Sequence, residues 1–166
     1  MEHTGSLNIR TATIDDCGLI LEFISALAEY EKLQHEVVAS EEALQVSLFG
    51  DRPGAEVLIA EWQGQPAGFA LFFPNYSTFL ARSGIYLEDL FVSREYRGLG
   101  IGMALLSRLA AEAVGRNGGR LDWSVLDWNE PAIRFYRRIG ARGLTDWTQF
   151  RLDGDDLKAL ADSAAR

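Results

Sequence analysis

A single α/β domain is what the amino-acid sequence predicts, and three observations predict it. The chain has 166 residues, the length of one domain, and at this size roughly 70% of the unfolded surface can be buried in a core. Alternating apolar runs that suit strands are interleaved with segments whose apolar residues recur at helical spacing. One run, residues 85–92, passes through a polar turn and a glycine-rich loop directly into an amphipathic helix. That is the strand–loop–helix order of an α/β sheet.

Each element has its own signal. Residues 1–6 read as a loose tail, so the folded domain is 7–166. Residues 7–11 alternate as a short strand, and Thr13-x-Asp15-Asp16 offers an N-terminal cap to the helix that follows. In that helix Ile20, Ile24, Leu27 and Glu31 share one side, Phe23 widens the stripe, and Tyr30 and Glu31 close it. Ser40-Glu41-Glu42 opens a second helix that runs to Phe49, and residues 50–54 are turn formers. Residues 55–62 and 65–74 form a hairpin across Gln63-Gly64, and 75–84 read as a polar and aromatic loop before the central strand. In the helix after the glycine loop, Leu106, Leu109, Ala110, Ala113 and Val114 make the inward stripe. Residues 116–119 stop that helix, and 120–126 alternate as a strand. Asn129 caps a further helix with Glu130 and Pro131 in its first turn and Gly140 after its end. Ala132, Phe135, Tyr136 and Ile139 face inward there; residues 143–152 supply the last strands and 153–166 a terminal helix.

Charge narrows the partners. The net charge is −8, which gives broad nucleic-acid binding no support. Residues 1–50 hold nine acids against Arg10 and Lys32, whereas 94–151 hold ten arginines against six acids. A basic half suits a polyanionic ligand and an acidic half a cationic one, although most of those acids also suit solvated helix faces. No apolar run approaches the length of a membrane span, and the first residues lack the features of an export signal, so the expectation is a soluble cytoplasmic protein with no membrane partner. A lone cysteine fits a reducing compartment. Cys17 lies in an amphipathic helix, which suits a small buried hydrophobe better than a nucleophile, and His3 and His35 form no triad or metal set. No metal is expected.

The chemistry concentrates in Arg97-Gly98-Leu99-Gly100-Ile101-Gly102-Met103. Glycines at alternate positions remove the Cβ atoms that would hold a phosphate off the backbone, and the helix behind them begins with N–H groups that lack intrahelical partners. Those groups and the helix dipole favour a phosphate or pyrophosphate, with Arg97 beside them. A Walker loop would end in Gly-Lys-Ser/Thr, which is absent, and a dinucleotide fingerprint would need Gly or Ala where Met103 stands. For a lone G-x-G a plain connecting turn is as good a reading; the Arg-Gly-x-Gly-x-Gly spacing argues for a ligand.

This loop resembles the coenzyme A pyrophosphate loop, Arg/Gln-x-x-Gly-x-Gly/Ala, of the GNAT superfamily of N-acetyltransferases. Tyr86-Leu87-Glu88-Asp89, Trp128-Asn129-Glu130-Pro131-Ala132 and Phe135-Tyr136-Arg137-Arg138-Ile139-Gly140-Ala141 are similar to its diamine (spermidine/spermine and thialysine) branch. So are Ile9-Arg10-x-Ala12-Thr13-x-x-Asp16-Cys17 and Ala28-Glu29-Tyr30-Glu31. The resemblance implies a mixed, twisted sheet flanked by helices, with acetyl-CoA in a V-shaped gap between the central strand and the next. It implies acetyl transfer to a primary amine of a small cationic molecule, a polyamine or lysine-like amine, and a homodimer.

The resemblance also implies roles. Leu90, Phe91, Val92, Arg97, Gly98, Leu99, Gly100, Ile101, Gly102, Met103, Asn129, Ala132 and Phe135 would hold acetyl-CoA, with a backbone N–H near Leu90–Val92 meeting the oxyanion. Tyr30, Glu31, Glu88 and Asp89 would bind the amine. An alkyl amine with a pKa near 10.4 must lose a proton to attack, and Glu88 would take it through a water. Buried strand carboxylates without a role are costly, which favours function for Glu88-Asp89. Tyr136, which periodicity alone would make a core tyrosine, would protonate the departing thiolate. Ser77-Thr78-Phe79 stands where the polyamine enzymes carry Asp-Pro-Trp, removing one anionic contact, and the acidic segment near Thr145-Asp146-Trp147 is unmatched. A peptide or protein amine, a non-catalytic acyl-CoA-binding module and a dinucleotide oxidoreductase are the alternatives.

Overall fold

The computed structural model describes residues Gly5–Ala164, which divide into two compact units, the first ending at Leu126 and the second beginning at Asp127. The first carries a five-stranded sheet in the order β1-β2-β3-β4-β5. Its strands are β1 (Leu7–Thr11), β2 (Glu56–Trp62), β3 (Gln65–Ser77), β4 (Arg82–Val92) and β5 (Leu121–Trp123). All neighbours are antiparallel except β4 and β5, which are parallel. The sheet is therefore mixed, as the sequence predicts.

Helix α1 (Cys17–Tyr30) and α2 (Glu41–Phe49) pack on one face. Ile20 and Phe23 of α1 and Leu44 and Leu48 of α2 share a core with Val57, Ile59, Phe69 and Phe91 from alternate strand positions. Phe23 stacks on Phe69 with ring centroids 5.4 Å apart. Leu58, Ala70, Phe72, Ile85 and Leu87 are also buried; alternation in β2 and β3, and in β4 a register shift that resets its parity before Phe91, turns them to the other side, where α3 (Ile101–Gly115) packs on β2, β3 and β4. The sheet is covered on both faces, which is why its strands read as nearly continuous apolar runs.

Local signals explain most boundaries. The Asp16 carboxylate accepts the Thr13 N–H at 2.7 Å and Ser40 Oγ accepts the Ala43 N–H at 3.1 Å, so both N-terminal signals act as caps. Gln63 and Gly64 take φ of 51° and 78°, the positive values a two-residue hairpin loop requires. Several expectations are corrected. Residues 1–4 lie outside the described residues, but Gly5 packs against the Trp62 indole and Ser6 O accepts the Gln63 N–H at 2.9 Å, so that part of the tail is anchored. Residues 75–77 and 82–84 are strand, and the expected loop shrinks to a turn at 78–81. Ser77 Oγ accepts the Leu80 N–H at 3.2 Å, which closes that turn, while Phe79 at its tip is 98% exposed.

The stripe of α3 is shifted from the expected one. The helix starts at Ile101, and its buried residues are Ile101, Leu105, Leu106, Leu109 and Ala113, with Ala110 and Val114 exposed. Strand β5 has three residues rather than the seven expected. In the second unit, α4 (Glu130–Arg138) and α5 (Gly154–Ser163) form, but residues 143–152 contain no strand. No helix among the described residues is long and apolar enough to cross a membrane.

Candidate active site

The site in the first unit is built on β4. This strand pairs with β5 only through Ile85, Tyr86 and Leu87, and from Glu88 onward that side of β4 has no strand partner among the described residues. On its other side the register with β3 slips between Leu71, opposite Asp89, and Phe72, opposite Leu87. Glu88 is the extra, bulged residue. A bulge re-aims the side chains around it, and here it separates the two carboxylates: Glu88 is exposed, while Asp89 shares the register of Leu71 and faces α1. The bulge lies at Glu88, two residues before the Leu90–Val92 stretch expected to meet the oxyanion.

The burial argument made for the pair Glu88-Asp89 from sequence holds for Asp89 alone. Burial, with Glu88 and then Glu31 as like charges, pushes the Asp89 carboxyl up to about 6. Asp89 lines an open cleft of about 310 Å³ with Glu31, Glu36, Ile24, Leu27 and Val37. Burial also raises the Glu31 carboxyl, and Glu31 stands at the C-cap of α1, where the helix dipole disfavours a negative charge. No cation among the described residues lowers either group. Apolar walls with two uncompensated carboxylates suit a cation on a short alkyl chain. Glu36 and Val37 were not singled out from sequence; the only signal was the clustering of acids between 29 and 36.

The glycine loop leads from β4 into α3. Gly98 and Gly100 both take φ of 81°, and a Cβ at either would meet nothing within 4 Å. Glycine is therefore required there by backbone conformation, and the space beside the loop is open. The first helical bond runs from the Ala104 N–H to the Gly100 carbonyl at 3.0 Å, so the N–H groups of Ile101, Gly102 and Met103 precede it and lack intrahelical acceptors. Gly100→Ala should lower stability by ~1–2 kcal/mol through backbone strain alone, read by chemical denaturation; an unchanged midpoint would show that the loop relaxes freely. Arg97, expected beside the phosphate, donates from Nε to the Val92 carbonyl at 3.0 Å, with its Cζ 5.0 Å from the Tyr30 ring centroid.

Asn129, Ala132, Phe135 and Tyr136 lie in the second unit. Asn129 occupies the N-cap of α4 without a side-chain cap bond, and its carbonyl accepts the Ile133 N–H at 3.0 Å. Ala132, Phe135 and Tyr136 are half-buried and share a face, whereas Ile139, expected with them, is exposed beyond the helix end. The Phe135 and Tyr136 rings lie 5.5 Å apart, and Arg138 sits over Phe135.

An anion-accepting loop and a carboxylate-lined cleft on one split strand suit a group-transfer enzyme of α/β type. Residues 24–141 match the acetyltransferase (GNAT) family, and the chain belongs to it. A thialysine N-epsilon-acetyltransferase of Sus scrofa is 42% identical over 167 residues, covering 94% of this chain and 98% of that protein. An L-ornithine N5-acetyltransferase of Arabidopsis thaliana is 34% identical, covering 92% and 86%. Among solved structures, an integron cassette protein from the mobile metagenome of V. cholerae aligns with a TM-score of 0.79 at 30% identity, covering 94% and 98%. The chain is an N-acetyltransferase of this family.

Proposed function

We propose that the protein uses acetyl-CoA to acetylate a primary amine of a small, cationic, lysine-like molecule or polyamine. The observation that carries this reading is the pair Glu31 and Asp89, half-buried with no cation that lowers either carboxyl, in a cleft beside β4. An ammonium group is the partner that such a pair lacks. The thialysine and ornithine enzymes among the relatives act on amines of that shape, and the turn at 78–81 offers no carboxylate in place of the Asp-Pro-Trp of polyamine enzymes. A short amine is favoured over a long polyamine.

Acetyl-CoA, when bound, supplies an acetyl group activated as a thioester. The open backbone around Gly98 and Gly100 and the N–H groups of Ile101, Gly102 and Met103 fit its pyrophosphate. Leu99, Asn129, Ala132 and Phe135 complete the cofactor set implied by the family. Alternate N–H groups between Leu90 and Val92, on the side of β4 that β5 leaves unpaired, meet the developing oxyanion. Glu88 is exposed and takes the amine proton through water, while Asp89 and Glu31 hold the cation; Tyr136 returns a proton to the departing sulfur. The working form is a homodimer in the cytoplasm. Trp147 and Phe150, 80% and 90% exposed in a segment without strand partners, support a second copy as cover.

Free-thiol release from acetyl-CoA, measured on thialysine, ornithine, lysine, spermidine, aminoglycosides and a lysine peptide, tests this. Turnover should be highest on thialysine or ornithine, and Glu88→Gln should lower kcat by roughly 10²-fold, with the particle mass in solution that of two chains. Turnover confined to the peptide would replace the small-amine reading, and coenzyme A binding without turnover on any amine would leave a binding module.

A further inference from the structure

Arg97 is where the glycine loop, strand β4 and helix α1 meet. Its Nε donates to the carbonyl of Val92, the last residue of β4, at 3.0 Å. Its Cζ lies 5.0 Å from the ring centroid of Tyr30, the last residue of α1, and 5.7 Å from that of Phe91. Phe91 in turn packs on Phe23 in the middle of α1, with centroids 6.1 Å apart. A planar guanidinium over two aromatic faces, fixed by one carbonyl, is a specific arrangement that an ammonium would not reproduce. Although exposed, this arginine is folded back onto the protein.

Each end of the contact carries a ligand in the function proposed above. Arg97 precedes Gly98, and the backbone from Gly98 to Met103 is the stretch that would take the pyrophosphate. Tyr30 precedes Glu31, which lines the acidic cleft with Asp89. Neither Tyr30 nor Arg97 is buried: Tyr30 is 41% exposed and Arg97 is also exposed, so both lose conformational freedom when a ligand orders them. A ligand that fixes the loop fixes the stem of Arg97, and through its guanidinium the end of α1. The second ligand then meets a site whose ordering has already been done.

Resting on that functional reading, we propose that Arg97 is a positioning residue that couples the two ligands through Tyr30, so that the amine binds more tightly to the coenzyme-loaded protein than to the free protein. The coupling is reciprocal by linkage: the amine tightens coenzyme A by the same factor.

Calorimetry of the amine with and without saturating coenzyme A, which lacks the acetyl group and so permits no turnover, reads the coupling as a ratio of dissociation constants. Thialysine is the first probe, or whichever amine turns over fastest. The ratio should be about tenfold in the wild type. It should fall to near one in Arg97→Met and in Tyr30→Leu, fall no further when the two are combined, and persist in Tyr30→Phe, which keeps the ring. Loss of direct amine contacts at Tyr30 cancels in the ratio. Where the amine becomes too weak to titrate, the affinity of coenzyme A with and without excess amine gives the same factor. A ratio of one in the wild type with both ligands bound would overturn the coupling alone, as would a tenfold ratio surviving in Arg97→Met. Failure of the wild type to bind coenzyme A would overturn the functional reading and the coupling with it.

Discussion

At pH 8, Asp89→Asn should melt above the parent protein while binding its amine more weakly. The Asp89 carboxyl is raised from 3.8 to about 6 because the folded protein buries it and sets Glu88 and Glu31 near it. A carboxyl whose folded pKa lies above its unfolded value favours folding only while it is protonated. That contribution is complete below about 3.8 and is lost as pH rises through about 6. At 1.36 kcal/mol per unit, the ionised group costs the fold roughly 3 kcal/mol above that window. Asparagine has nearly the same shape and no charge, so it removes the cost. For a chain of this size ~2–4 °C per kcal/mol is expected, which sets a ceiling of roughly 6–12 °C on the gain at pH 8 and predicts almost none at pH 4. The same change should raise KM for the amine about tenfold or more, because an ammonium loses a partly buried counter-charge. A melting gain equal at pH 4 and pH 8 would show that charge is not its origin. An unchanged KM would remove Asp89 from the amine site.

The instability at Asp89 and the proposed affinity for a cation have one cause. Its position was legible in the sequence only in part. The run Leu87-Glu88-Asp89-Leu90 placed two carboxylates on the central strand, and that reading survives; the glycines after it marked a loop, to which the structure adds positive φ at Gly98 and Gly100. Which carboxylate is buried was not legible, because strict alternation assigns faces by parity and the bulge at Glu88 resets that parity without any residue that announces it. The inward stripe of α3 was legible at its centre and not at its edges: Leu106, Leu109 and Ala113 are buried as the spacing predicts, whereas Leu105 replaces the exposed Ala110 and Val114, a rotation of well under half a turn.

Residues 75–84 misled in the opposite direction. Their polar and aromatic composition reads as loop, but Asn75 and Tyr76 pair with Gly84 and Ser83 as ordinary strand, where an exposed strand end carries no apolar alternation. Asn75 Nδ2 donates to Asp122 at 3.0 Å and Arg120 pairs with Asp122 at 2.7 Å, so polar side chains there tie β3 to β5. Residues 143–152 were expected to supply the last strands, yet none forms there; their apolar residues Leu144, Trp147 and Phe150 recur every three positions, without the period of two that marks a half-buried strand. The contact of Arg97 with Tyr30 joins residues far apart in the chain, and no local pattern marks it.

Tyr136→Phe should lower kcat by roughly 10²–10⁴-fold and leave KM for both substrates near the parent value. Attack of an amine on a thioester expels a thiolate, and general acid help at the leaving atom is typically of that size. The substitution removes only the hydroxyl. The ring that packs on Phe135 at 5.5 Å is retained, so α4 keeps its packing and the thermal midpoint should move little. A loss in kcat without a loss in KM marks an interaction made in the transition state rather than in the bound complex. A structural role for Tyr136 would instead lower stability or raise KM. The leaving group gives the sharper measurement. With the selenoester analogue of acetyl-CoA, the departing selenolate is a weak base that needs no proton. The parent and Tyr136→Phe should then turn over at similar rates, so that the defect seen with the thioester nearly vanishes. A defect of equal size with both donors would remove Tyr136 from proton transfer and leave it a role in orienting the cofactor. A kcat within threefold of the parent with the thioester itself would move the general acid to water or to another residue.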